Sequence, residues 1–154
     1  MWQERAILYD KNQTGNKIKY LIENYYTDLD KIFTKKGKRY IPISKLSLFE
    51  FYNMIRKIPY RKDNAPVEVI ARPFHIMNHK SMGMDCKKKC IMIGSYLRYH
   101  KMPYRIMSSS RRPTKEIHHV FPQVKIGNKW RNLDATYNHN KPLEFKTVTN
   151  HEVL

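Results

Sequence analysis

The chain is poor in several things, and each shortage narrows what it can be. No apolar run reaches the roughly 20 residues a membrane-spanning helix needs, and the mean hydropathy is −0.72, so no transmembrane segment is expected. The opening Met1-Trp2-Gln3-Glu4 begins no secretory hydrophobic region, so no leader peptide is expected. Cysteine is scarce: Cys86 and Cys90 are the only two. Two thiols four apart do not make a disulfide framework, and on a helix they share a face but aim poorly at each other. Free thiols in a reducing, cytoplasmic compartment are expected. Acidic residues are scarce as well, 13 against 30 lysines and arginines, which leaves a formal balance of +17. No internal repeat and no linker divides the 154 residues, so one domain with a real core is expected over 1–154.

What is present begins with that charge. Basic residues recur at Lys35-Lys36-Gly37-Lys38-Arg39, Arg56-Lys57, Arg61-Lys62, Lys87-Lys88-Lys89 and Arg111-Arg112. They are spread along the chain rather than gathered in a tail. Such a balance favours contact with a polyanion, a nucleic acid or an acidic protein, although it also suits a merely well-solvated surface. No motif for reading nucleic-acid sequence accompanies it.

Apolar spacing predicts the elements. Ile18, Leu21, Ile22, Tyr25, Leu29, Ile32 and Phe33 fit one face of a helix, with Thr14-Gly15-Asn16 as the break before it and Gly37 as its stop. Tyr40-Ile41-Pro42-Ile43 reads as an extended link. Ser47-Leu48-Phe49-Glu50 matches a capping box for a second helix that Pro59 ends. Residues 60–80 look irregular, with a short extended piece at Val67-Glu68-Val69-Ile70. Asp85 suits the N-cap of a third helix, Cys86 to Tyr99, with Cys86, Cys90, Ile93, Gly94 and Leu97 on its buried face. Tyr104 to Met107 reads as a strand. Residues 117–126 and 129–137 read as two strands joined at Gly127-Asn128, a two-residue hairpin signal.

Three residues in this layout suit thiol chemistry, which needs a nucleophile, a base and an acid to orient the base. Cys86 falls in the first turn of its helix, where exposed N–H groups and the macrodipole favour a thiolate. Lys87, Lys88 and Lys89 add positive potential there. Cys90, one turn deeper, reads as a buried structural thiol. If Gly127-Asn128 is the turn, Phe121 faces Asp134 and His119 faces Thr136. His119 and Asp134 are then diagonal neighbours on one sheet face, roughly 7–8 Å apart and able to meet. His118 points to the other face, where Val120, Val124, Ile126, Leu133 and Ala135 form a core stripe. Pro122 could mark an edge or a bulge, and a bulge would exchange the two histidines.

Gly83-Met84-Asp85-Cys86, Tyr96-Leu97-Arg98, Met102-Pro103-Tyr104-Arg105, His119-Val120-Phe121-Pro122-Gln123-Val124, Lys129-Trp130 and Leu133-Asp134-Ala135-Thr136-Tyr137 together resemble the transglutaminase-like superfamily, in its short microbial and bacteriophage form. The resemblance spans about residues 58–140. It implies an α+β, papain-like core of residues 46–140, in which a Cys-bearing helix packs on an antiparallel sheet. A helical extension (1–45) precedes the core and a tail (141–154) follows it. By that resemblance Cys86 is the nucleophile, His119 the base and Asp134 the orienting acid, with Trp130 shielding the site. The implied activity is acyl transfer on a protein or peptide substrate, by hydrolysis or crosslinking, with no cofactor and no metal. Two departures remove negative charge: Lys87 and Lys88 stand where acidic residues are common, and Gln123 where a glutamate is usual.

Two other readings compete. One is a basic binding or assembly protein, for example a virion component, that keeps the fold without the reaction. The other is a zinc site from His75, His79, Cys86 and Cys90.

Overall fold

The computed structural model describes residues 11–62, 70–109, 119–137, 140–143 and 151–153. In chain order its elements are α1 (Lys11–Tyr25), β1 (Phe33–Lys36), β2 (Arg39–Pro42), α2 (Leu48–Arg56), α3 (Pro73–Asn78), α4 (Cys86–Tyr99), β3 (Tyr104–Ser109), β4 (His119–Ile126), β5 (Lys129–Asn132) and β6 (His151–Val153). Short 3₁₀ turns fall at Tyr26–Lys31, Ile43–Lys45 and Lys80–Met82. β1 and β2 form a two-stranded antiparallel ribbon. The other four strands form an antiparallel sheet of order β5-β4-β3-β6, on which α4 packs. The class is therefore α+β, as the sequence led us to expect. None of the described helices is long and apolar enough to cross a membrane.

α4 starts where its cap dictates. The Asp85 carboxylate accepts from Lys88 N at 3.0 Å and satisfies one of the orphan N–H groups of the first turn. The helix is buried not along one face but from Lys89 through Leu97 without a break. Ile91, Met92 and Tyr96 extend the apolar surface around it, and α1, α2 and β4 each take a side. A helix covered on several sides belongs in the interior. At Gly94 the Ile22 side chain occupies the space a Cβ would need, so α1 and α4 approach closely there.

The first helix differs from its expected bounds. α1 runs straight through Thr14-Gly15-Asn16 and ends at Tyr25. The chain then tightens into a 3₁₀ turn that keeps Leu29 buried, and Phe33 opens β1, exposed. The helical spacing past Tyr25 is met by this tighter winding. Gly37 is not a helix stop but the first residue of the two-residue turn of the ribbon, with φ +63°. A glycine there is what a type II′ hairpin needs. Gly127, φ +60°, plays the same part between β4 and β5, as its sequence signal foretold.

α2 carries the expected capping box: Ser47 Oγ accepts from Glu50 N, and Glu50 Oε1 accepts from Ser47 N. The stretch expected to be irregular contains α3, begun by Pro73, whose missing N–H costs nothing in a first turn. Asp28 anchors it by accepting two hydrogen bonds from Arg72 and one from Phe74 N. The extended piece expected at 67–70 lies mostly outside the described residues. The stretch expected as an extension supplies Ile18, Leu21, Ile22 and Leu29 to the core and folds partly as the ribbon, and β6 adds a strand from the expected tail.

Pro122 shows how the sheet shapes the site. The β3–β4 register is unbroken from Tyr104–Val124 to Ser109–His119, so Pro122, opposite Ile106, sits in an inner strand with no bulge. Its carbonyl accepts from Leu133 N at 3.0 Å. On an antiparallel strand the N–H and C=O of a residue point the same way, so the return bond to Leu133 would need the proton proline lacks. Pairing stops at Asn132, and the chain beyond is released from the ladder. Ile126, expected in the core stripe, is 43% exposed near the turn, while Val120, Val124, Leu133 and Ala135 are buried.

Candidate active site

The approach to Cys86 is held by backbone. Met84 N donates to Pro59 O at 2.9 Å and Arg61 N to Met84 O at 3.1 Å, which clips residues 59–61 to 83–84. Gly83 has φ +81°, and a Cβ on it would lie 2.8 Å from Arg61 Cβ and 2.9 Å from Pro59 O. Only glycine fits that crossing. Asp85 follows as the cap and Cys86 as the first helical residue, buried but for a 7% opening. Cys90 is closed off beneath it. Burial first, then the neighbouring negative groups, push its thiol well above the ordinary value. Both thiols are free.

His119 opens β4. Its Nε2–H donates to Asp134 Oδ2 at 2.6 Å, and Cys86 lies near enough to the same ring to raise its pKa. Burial pulls this imidazole down, but the hydrogen bonds to Asp134 and Cys86, with their charges, outweigh it and hold it up at about 9. Asp134 is itself fixed: Oδ1 accepts from Thr136 N at 3.1 Å, and its carbonyl accepts from the buried Tyr52 hydroxyl at 2.8 Å. Asp134 meets His119 from the loop after β5 rather than from a ladder position. Of the three side chains singled out in the sequence, His119 and Asp134 are joined directly, and Cys86 stands near the His119 ring. The register has no bulge to exchange the histidines, and His118 lies outside the described residues.

Other expectations are corrected. Lys89 is not part of a surface cluster. It is fully buried, and its ammonium donates to the carbonyls of Ile58 (2.6 Å), Thr136 (3.2 Å) and Arg56 (3.3 Å). Burial lowers it to about 8, although the charge of Asp134 opposes that. Lys87 pairs with Asp85 Oδ2 at 3.1 Å. Trp130 does not shield the site: it lies opposite Lys125, six positions along β4 from His119, or roughly 20 Å at about 3.3 Å per residue. There it stacks with Arg105 and Lys125. Gln123 accepts from Arg105 Nε and donates to Asn132 Oδ1, a cross-strand link that uses both ends of an amide. The zinc quartet does not assemble. His75 and His79 stack on one another, and among the described residues no three candidate ligands gather around one point.

Two rings that the sequence did not single out as site residues border the pair. Tyr137 lies near-parallel to His119 with centroids 6.1 Å apart, and Tyr60 lies 5.4 Å from Tyr137. Both are partly open to solvent. Burial, then the nearby Cys86 charge, raise the Tyr60 phenol to about 12, so it stays a hydroxyl donor beside the thiol. No local sequence signal marks Tyr60, because the 59–61 clip delivers it.

No family model matches the chain, and no curated protein matches it in sequence. A solved structure from Cytophaga hutchinsonii, described as a presumptive cysteine protease, is similar over 84% of this chain and 40% of that one, at 16% identity and a TM-score of 0.42. The likeness is loose, and the chain spans less than half the length of that protein.

Proposed function

We propose that the protein is a thiol-dependent acyl-transfer enzyme of the transglutaminase-like type, acting on a protein or peptide amide. Cys86 is the nucleophile, His119 the base and Asp134 the orienting acid. The observation that carries this reading is the His119 imidazole, held by Asp134 at 2.6 Å through Nε2, with Cys86 near the same ring. The Cys86 sulfur attacks the amide carbonyl. N–H groups at the start of α4, including that of Cys86, take up the oxyanion. The imidazolium gives its proton to the leaving nitrogen, the C–N bond breaks, and a thioester remains. Water or a lysine amine then attacks the thioester, returns a proton to His119 and releases the acyl group. Tyr60 and Tyr137 form the rim over which a substrate chain enters.

A second reading, a basic assembly protein that keeps the fold without turnover, draws on the +17 balance. Alkylation separates the two. Iodoacetamide on the native protein should modify Cys86 and spare Cys90, and His119→Ala should slow the reaction at Cys86. Peptide-amide turnover should vanish in Cys86→Ala. Modification of Cys90 first, or of Cys86 at a rate indifferent to His119, would overturn the catalytic reading.

A further inference from the structure

The β1–β2 ribbon plays no part in the chemistry above, and it carries basic and open aromatic side chains together. Of residues 31–40, five are basic (Lys31, Lys35, Lys36, Lys38, Arg39) and none is acidic. Residues 35–40 are all exposed. Two aromatic rings stand open on it, Phe33 at 59% and Tyr40 at 72%. Tyr40 is the most open large hydrophobic side chain among the described residues. Core packing does not account for either ring.

The register arranges them. Phe33 pairs with Pro42 and Lys35 with Tyr40, so Phe33, Lys35 and Tyr40 share one face of the ribbon. Phe33 and Tyr40 are diagonal neighbours there, roughly 7–8 Å apart, with Lys35 beside both. Lys36 and Arg39 pair on the opposite face, where Lys36 is also held by Glu50 at 3.1 Å, and Lys38 sits at the tip. Two open rings spaced along a cationic strip are what base stacking and phosphate neutralisation require together.

We propose that the β1–β2 ribbon is a binding surface for single-stranded nucleic acid, independent of the thiol site. Bases stack on Phe33 and Tyr40 while Lys35, on the same face, and Lys38, at the tip, follow the backbone. Ring stacking suits any base and so gives affinity without a sequence code. A duplex hides its base faces and leaves the two rings idle. An acidic peptide satisfies the lysines but offers the rings no planar partner.

The test is fluorescence anisotropy of the intact protein with a labelled oligothymidylate, between about 50 and 200 mM salt. Phe33→Ala/Tyr40→Ala should lose about tenfold or more in affinity with an unchanged salt slope, because no charge is removed. Lys35→Gln/Lys38→Gln should flatten the slope by roughly 0.7 per lost charge. Lys129→Gln/Lys141→Gln, which removes the same charge elsewhere, should stay within about twofold. All six residues are at the surface, and an unchanged thermal midpoint confirms the fold of each variant. The proposal is overturned if the aromatic variant binds within about twofold of the parent, if the control pair loses as much as the ribbon pair, or if duplex or polyglutamate competes as well as the single strand.

Discussion

The carboxylate of Asp134 divides its oxygens between two tasks. Oδ1 holds the backbone of its own loop through Thr136 N, and Oδ2 holds His119. Because Nε2–H is committed to Oδ2, the tautomer is fixed and Nδ1 is left over, the division of labour that the acyl-transfer reading requires. Asp134→Asn keeps the shape but presents an amide whose donor and acceptor ends can be swapped. In the acyl-transfer reading it should reduce kcat by roughly 10²–10⁴. It should also move the alkaline limb of the pH–rate profile below about 9, since the carboxylate charge is among the effects that raise His119. A profile of unchanged shape with a small loss of rate would show that the pairing is structural only. Lys89 serves the same constellation from below. Its ammonium ties the end of α2 to the loop carrying Asp134 by donating to three buried carbonyls.

Among the elements, the two glycine-dependent turns separate open space from close approach. Gly83 and Gly127 both have positive φ, but a Cβ at Gly83 would strike Arg61 and Pro59, whereas Gly127 has nothing within 4 Å. Gly127→Ala should cost about 1 kcal/mol for the backbone alone. Gly83→Ala should cost about 1–3 kcal/mol and slow alkylation at Cys86, because the clip that aims α4 has to open. Urea denaturation of the two variants makes the comparison, and equal costs would mean the crossing at Gly83 is not tight. These elements also show what a sequence can reveal. α4 and the β4–β5 hairpin were legible because their determinants are local, an aspartate cap at Asp85 and a turn at Gly127-Asn128. The ribbon carries the same kind of signal at Gly37-Lys38, but apolar spacing through Leu29, Ile32 and Phe33 stayed in helical phase and masked it. Lys89 and Tyr60 were illegible for another reason. Their partners lie tens of positions away, and only tertiary packing brings them to the site.

At the scale of the whole molecule, two cations near Asp134, the part-buried His119 and the buried Lys89, give stability opposite dependences on pH. His119 has its pKa raised from 6.5 to about 9, so between these values the folded state binds more protons than the unfolded chain. Its contribution is complete below about 6.5 and is lost as pH rises through 9. Lys89 is lowered from 10.5 to about 8, so between those values the unfolded chain binds more protons, and its contribution grows as pH rises. Cys90, Tyr60 and Tyr104 are all raised by burial and add their own slopes at alkaline pH, but these cancel when a variant is compared with its parent. His119→Gln should therefore show a stability deficit that shrinks between about pH 6.5 and 9. Lys89→Met strands three carbonyls and should cost about 2–4 kcal/mol near neutrality, a deficit that widens from about pH 8 to 10. Lys129→Met, at the surface, should stay within about 0.5 kcal/mol throughout. Urea denaturation of the parent and the three variants at several pH values gives the slopes directly. Parallel deficits for His119→Gln and Lys89→Met would mean that the two groups are not charged in the folded protein as their surroundings require.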